Sequence, residues 1–83
     1  MSNELLAIIV RRPGQTVFSG QVTSVSSVNE KGPFDILPEH TNYIAIISQT
    51  LNWQPVKGAA AQMPIKRGVI WVKKNAIEVY LDL

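Results

Sequence analysis

Short runs of Val, Ile and Leu alternate along the chain with turn-forming residues. No segment keeps an apolar stripe of helical period over three turns. Short apolar runs at this spacing are typical of a sandwich or a barrel, so the pattern predicts an all-β fold. The turn formers that divide the runs are Pro13-Gly14, Ser19-Gly20, Lys31-Gly32-Pro33, Pro38, Asn52, Pro55, Lys57-Gly58, Pro64, Arg67-Gly68 and Asn75.

The last part of the chain gives the clearest strand signal. Across residues 77–83, apolar residues alternate with mainly polar ones, as expected of a half-buried antiparallel strand. Residues 69–72 are apolar on both faces, which suits a central or covered strand. We expect Lys74-Asn75 to form the hairpin turn between these two strands, because Asn tolerates a positive φ.

The earlier part of the chain predicts further strands of less regular pattern. Leu5–Arg12 opens the fold, and Tyr43–Ile47 is a second strand that is apolar on both faces. The valines of residues 21–28 do not all fall on one face, which predicts a strand with a bulge. Residues 48–63 include an alanine run too short to nucleate a helix, so we expect a hairpin there.

The composition is compatible with an apolar interaction surface on a single domain. The 83 residues predict one domain, spanning residues 1–83. Hydrophobic residues make up 46% and charged residues 17%, which is below the usual quarter for soluble domains. Either the core is large for the chain length, or part of the surface is apolar and meets a partner.

Charge and hydropathy exclude several classes of partner. The net charge of +2 is too small for the dense basic face of a nucleic-acid binder. The longest apolar run, Leu5–Val10, is far shorter than the roughly 20 residues of a membrane-spanning helix. We therefore expect no direct membrane insertion, and any membrane association has to go through a partner.

The residues that could carry chemistry are few and scattered. A zinc site would need ligands beyond the one histidine, His40, and no cysteine is present. A triad of His40, a serine and Asp35 or Asp82 can be written, but nothing marks a serine as its nucleophile. The glycines are not clustered in a phosphate-binding loop. The sequence predicts no catalytic residue, no metal site and no cofactor. The alternative is a binding module in which Trp53 and Trp71 stack on a small ligand or a carbohydrate.

Two segments resemble a known family when they are taken in order. Val17–Val22 reads Val-Phe-Ser-Gly-Gln-Val, and Lys31–His40 reads Lys-Gly-Pro-Phe-Asp-Ile-Leu-Pro-Glu-His. Together with the strand at 43–47 and the closing pair, they make the chain similar to the N-terminal domain of the epsilon subunit of F-type ATP synthases over about residues 5–82. Asp35 and Glu39 stand where that family has glycine, and Asp tolerates left-handed geometry better than most residues.

The resemblance implies a fold and a role. The fold would be a flattened antiparallel β-sandwich of about ten short strands. Because the sequence ends at Leu83, we expect it to be without the family's C-terminal helical hairpin. The role would be that of a non-catalytic rotor subunit in the central stalk of a proton-translocating ATP synthase.

The same resemblance implies partners and a location. The chain would link the gamma subunit to the c-ring, as a peripheral protein at the cytoplasmic face of a bacterial inner membrane. Self-association of the isolated chain stays open. By position, the candidate contacts to the c-ring or to gamma are Glu30, Lys31, Phe34, Asp35, Glu39 and His40.

Overall fold

The computed structural model describes residues 5–37 and 42–82 and is built from strands and tight turns. The predicted all-β class is confirmed. Within these residues, no helix has the length and apolarity needed to cross a membrane. The six strands are β1 (Leu6–Arg12), β2 (Gln15–Asn29), β3 (Gly32–Ile36), β4 (Tyr43–Pro55), β5 (Ala61–Lys73) and β6 (Ala76–Leu81).

Five of the strands close into a ring. The sheet order is β1-β6-β5-β4-β2-β3, and β1 also pairs with β2. The ring therefore runs β1, β6, β5, β4, β2 and back to β1, while β3 lies outside it on β2. Closure leaves most strand edges hydrogen-bonded to a neighbour, which gives a barrel-like sandwich.

One strand pair departs from the predicted antiparallel arrangement. Residues 7–11 of β1 run parallel to residues 76–80 of β6, whereas every other pair among the described strands is antiparallel. The cause is the odd number of strands in the ring. Five strands cannot all alternate in direction around a closed circle, so one pair has to be parallel.

The prediction of about ten short strands is wrong, because several of the turn-forming residues lie inside long strands. Ser19-Gly20 lies within β2, Asn52 within β4, and Pro64 and Arg67-Gly68 within β5. A long strand can bend and change partners along its length. The first half of β2 pairs with β1, and its second half pairs with β3 and β4.

Irregularities mark where these strands bend. The pairing of β2 with β4 shifts register between Val22 and Ser24 and again between Ser27 and Val28. The bulge predicted for residues 21–28 is thus confirmed. In β4, Gln49 has a φ of 72° at the point where the register with β5 shifts.

Both predicted hairpins form. Asn75 has a φ of 54° in the turn between β5 and β6, as its side-chain type predicted. Residues 48–63 supply the end of β4, a turn at residues 56–60, and the start of β5.

The core consists of hydrophobic side chains, mostly aliphatic, from all six strands. The alternation seen at the end of the sequence is confirmed, since Ile77, Val79 and Leu81 are buried, while Leu83 lies outside the described residues. The buried hydrophobic residues are Leu6, Ile8, Val10, Val22, Val25, Ile36, Ile47, Leu51, Trp53, Ile70, Val72, Ile77, Val79 and Leu81.

The buried Gly68 gives a sharp test of this packing. An added Cβ would lie 2.7 Å from the carbonyl oxygen of Tyr80 and 2.9 Å from Leu81 Cδ2, so β6 would have to shift. We expect Gly68→Ala to lower the free energy of unfolding in urea by about 1–3 kcal/mol. The control is Gly20→Ala, whose Cβ would meet only the ring of Phe18, at 3.2 Å. Equal losses in the two variants would contradict the proposed clash.

Candidate interaction surfaces

The turn between β2 and β3 presents the first two predicted contact residues to solvent. The Asn29 side chain braces this turn. Its Oδ1 accepts the Lys31 backbone N–H at 2.8 Å, and its Nδ2 donates to the Tyr43 hydroxyl at 2.8 Å. Gly32 follows with a φ of 120°, a conformation that favours glycine. Glu30 and Lys31 are consequently held outward, and both are exposed.

The side chains of Phe34 and Asp35 lie on opposite faces of β3. Phe34 packs against the core and against the Tyr43 ring, with centroids 5.8 Å apart. Asp35 points to the opposite side and is exposed. It lies opposite Ser26 in a regular strand, so the left-handed geometry considered for it is not used. Glu39 and His40 lie outside the described residues.

A second surface feature was not among the predicted contacts. Ile44 and Ile46 are 65% and 53% exposed, and Trp71 is 43% exposed. Across the β4–β5 pair, Ile44 lies opposite Trp71 and Ile46 lies opposite the partly buried Val69. We call these four residues the apolar patch. A contiguous patch of large apolar side chains is a sign of an interaction site.

The apolar patch and the β2–β3 turn share one groove. This open groove of about 760 Å³ is lined by Glu30 and Lys31 on one side and by Ile44, Ile46 and Val69 on the other. Two charged side chains and three aliphatic ones therefore border the same depression. The apolar signal was present in the two-faced runs at residues 43–47 and 69–72, but it predicted strands and no particular site.

A small polar network borders the patch and contacts Trp71. Lys73 Nζ lies 2.9 Å from Glu78 Oε2 and 4.1 Å from the centroid of the Trp71 ring. The Tyr80 hydroxyl donates to the other carboxylate oxygen of Glu78. A cation this close to an indole is attracted to it, so the network favours one position of the Trp71 ring.

The network also shifts two protonation equilibria in opposite directions. The hydrogen bond from Tyr80, followed by that from Lys73, holds the pKa of Glu78 below its usual value. The same hydrogen bond, with some desolvation, raises the pKa of Tyr80. The arrangement at neutral pH is therefore a carboxylate that accepts from a protonated phenol and an ammonium group.

A polar surface lies on the outward side of the other half of β4. Asn52 Nδ2 donates to Ser26 Oγ at 3.3 Å, and Thr50 Oγ1 donates to Asn52 Oδ1 at 3.0 Å. These short side chains tie β2 to β4 on the outside of the ring. The exposed part of β4 thus changes from apolar in its first half to polar in its second half.

The structure contradicts a carbohydrate platform made by both tryptophans. Trp53 is only 7% exposed and packs in the core against Phe18, with ring centroids 5.1 Å apart. Only Trp71 is at the surface, so the pair cannot stack on one ligand. Within the part of the chain that the structure describes, no three His, Cys, Asp or Glu side chains are grouped to hold a metal ion.

The described residues thus form a ring of strands with an exposed apolar patch, the kind of surface at which proteins interact. The chain belongs to the family of the ATP synthase delta/epsilon chain β-sandwich domain, whose model matches residues 5–82. The resemblance seen in the sequence is confirmed by this match.

Comparisons with individual proteins agree with the family. The chain is 25% identical over 80 residues to the ATP synthase epsilon chain of Wolinella succinogenes, covering 95% of this chain and 61% of that one. A chain of the Euglena gracilis mitochondrial ATP synthase structure (OSCP/F1/c-ring) superposes with a TM-score of 0.85 at 14% identity, covering 96% of this chain and 53% of that one.

A chain of the Tetrahymena thermophila mitochondrial ATP synthase structure (central stalk/c-ring) gives a TM-score of 0.77 at 10% identity. That match covers 98% of this chain and 66% of the other. At such identities the two solved structures show a shared fold. In all three comparisons the chain spans less than two thirds of the length of the protein it matches.

Glu78 predicts a specific acid response. Its folded-state pKa is lowered, so its contribution to stability is present above the ordinary carboxyl pKa and is lost as the pH falls through the folded value. We expect the free energy of unfolding in urea to fall less steeply between pH 5 and about pH 3 in Glu78→Gln than in the wild type. Glu30→Gln, in the β2–β3 turn, is the matched control. Identical slopes for the Glu78 variant and the wild type would refute a role for the network.

Proposed function

We propose that this chain is a non-catalytic central-stalk subunit of a proton-translocating F-type ATP synthase, linking the gamma subunit to the c-ring in rotary coupling. The observation that carries the proposal is the family match over residues 5–82. The Wolinella relative is named an ATP synthase epsilon chain, and the Tetrahymena structure is one of a central stalk with its c-ring. The chain would be peripheral to the membrane, at the cytoplasmic face of a bacterial inner membrane, and held there by its partners.

The ring of strands suits a part that transmits torque. Each of its five strands is hydrogen-bonded on both sides over at least part of its length. A closed sheet around a packed core resists bending and shear better than an open one, because its strands have little freedom to slide. A stiff body gripped at two places would turn with its neighbours as one rotor.

The apolar patch is the proposed contact for gamma. Burial of Ile44, Ile46 and Trp71 in an interface would remove large apolar side chains from water, which supplies affinity. Tryptophan is among the residues that most often dominate binding energy. The Lys73 ammonium group above the Trp71 ring would limit the entropy that this side chain loses on docking.

The charged loop is the proposed contact for the c-ring. Glu30, Lys31 and Asp35 are exposed on or beside the β2–β3 turn, where they can pair with polar groups of a partner. Such pairs set the register and specificity of an interface more than its strength. Phe34 would act indirectly, by packing under the turn. Glu39 and His40 remain proposed contacts from the sequence.

The gamma contact can be tested with two matched surface variants. Ile46→Asp places a charge in the apolar patch, whereas Val56→Asp places one at a similarly exposed site, 50% against 53%, on the β4–β5 turn. We expect the first to weaken binding to the cognate gamma subunit at least tenfold, because the charge would be buried without a partner. The second should leave binding unchanged. Isothermal titration calorimetry measures both, and equal affinities would argue against this surface.

The loop can be tested in the assembled enzyme. The double variant Glu30→Lys with Lys31→Glu exchanges the two charges of the β2–β3 turn without changing the net charge. We expect ATP-driven proton pumping to fall more than ATP hydrolysis does, because register at the c-ring is disturbed while catalysis lies elsewhere. Lys57→Glu, in the β4–β5 turn, is a charge control distant in sequence. Wild-type pumping in the double variant would count against the loop as a contact.

A further inference from the structure

The first half of β4 has a strand partner on one side only. Its pairing with β5 extends from Tyr43 to Trp53, but its pairing with β2 reaches no further back than Ser48. From residue 44 to residue 47, the described strands leave one edge of β4 open. It is one of the stretches where a described strand of the ring has a neighbour on one side only.

One backbone hydrogen bond on the β6 side of β5 shows which residues of β5 direct their backbone N–H and C=O groups toward β6 and which toward β4. The Asp82 N–H donates to the Arg67 carbonyl at 3.1 Å, so the backbone polar groups of Arg67 face β6. In an antiparallel strand the N–H and C=O of one residue point to the same side, and consecutive residues alternate. Gly68 and Ile70 therefore direct their polar groups toward β4.

The same alternation fixes which residues of β4 face the open edge. Ile47 lies opposite Gly68 and Ala45 lies opposite Ile70, so both direct their backbone groups toward β5. Ile44 and Ile46 then direct their N–H and C=O groups the other way. The two residues with the most exposed aliphatic side chains in this strand also offer two donors and two acceptors at the open edge.

This edge lacks the features that usually prevent strand pairing. The short outer strand β3 carries Pro33 and Asp35, which discourage another strand from adding to it. Residues 44–47 of β4 read Ile-Ala-Ile-Ile, with neither a charge nor a proline. The groove between this edge and the β2–β3 turn, about 760 Å³ in volume, leaves space beside the strand.

We propose that the partner docks here by β-strand addition: an extended segment of the gamma subunit pairs with Ile44–Ile47 of β4. This deepens, and rests on, the gamma contact proposed above. An extended backbone can pair with two N–H donors and two C=O acceptors that lie in a line. The backbone groups of a helix are already hydrogen-bonded within the helix. Apolar side chains that alternate along this segment would cover the apolar patch, while Glu30 and Lys31 at the other border of the groove stay available to the c-ring.

A second copy of this chain fits the edge less well. Pairing over four residues would bury far less than the roughly 800 Å² per partner that stable complexes require. A larger partner can add contacts across the rest of the patch, including Trp71, at the same time. The extended segment is therefore assigned to gamma, and self-pairing is an outcome that the test detects.

The first measurement is amide hydrogen exchange by NMR, on the chain alone and bound to cognate gamma. The amides of Ile44 and Ile46 should exchange rapidly in the free chain and at least 100-fold more slowly in the complex, since each gains a backbone acceptor. The amides of Ala45 and Ile47, bonded to β5, should be slow in both. Rapid exchange of Ile44 and Ile46 in a fully formed complex would overturn strand addition.

The second measurement compares Ile46→Pro with Ile46→Ala. Both shorten the side chain, but only proline also removes the N–H that faces the open edge, where it has no partner among the described strands. We expect the proline variant to bind gamma about five- to tenfold more weakly than the alanine variant, the loss of one hydrogen bond. Equal affinities would overturn strand addition. If the proline variant does not fold, the amide exchange rates of Ile44 and Ile46 in the wild-type complex decide whether strand addition occurs.

The outcomes separate this inference from the proposed function. If wild-type chain does not bind gamma at all, the proposed function fails. If gamma binds but the Ile44 and Ile46 amides stay unprotected, only the strand addition fails. If these amides become protected when the free chain is concentrated, the edge pairs with a second copy, and the assignment to gamma is wrong.

Discussion

Closure of five strands around a small core is the constraint on which the rest of this structure depends. The odd number of strands forces one parallel contact, which places the first strand, β1, beside the last strand, β6. Closure also needs curvature, which appears as register shifts in β2 and at Gln49 of β4. With the inside filled by aliphatic side chains, the molecule can interact with other proteins only through its outer faces.

The different lengths of neighbouring strands create the interaction surfaces. Because β2 ends at Asn29, one residue beyond the Val28–Ser48 pair, the first half of β4 is left without a described strand on that side. The same region carries the exposed Ile44 and Ile46 and borders the charged β2–β3 turn. The electrostatic network of Lys73 and Glu78 is partly exposed to solvent, so its contribution to the free energy of folding is small and depends on pH. Its contact with Trp71 matters for the shape of the patch.

Much of the local structure was predictable from the sequence because it depends on neighbouring residues. Alternation fixed the buried face of residues 77–81, and asparagine chemistry fixed the turn at Asn75. The motif around residues 31–40 indicated the family and, through it, Glu30 and Lys31 as candidate contacts. The structure places both on an exposed turn. These inferences need only a side chain, its period and its conformational preference.

The sequence by itself thus determined the all-strand class, the turn of the last hairpin and the family. Only the tertiary structure decided that Gly68 and Pro64 lie inside one long strand, that Trp53 is core while Trp71 is surface, and that Ile44 borders an open edge. The physical reason is that a strand is completed by partners distant in sequence. Whether a glycine bends or continues a strand, and whether an apolar residue is covered, depends on what those partners place opposite it.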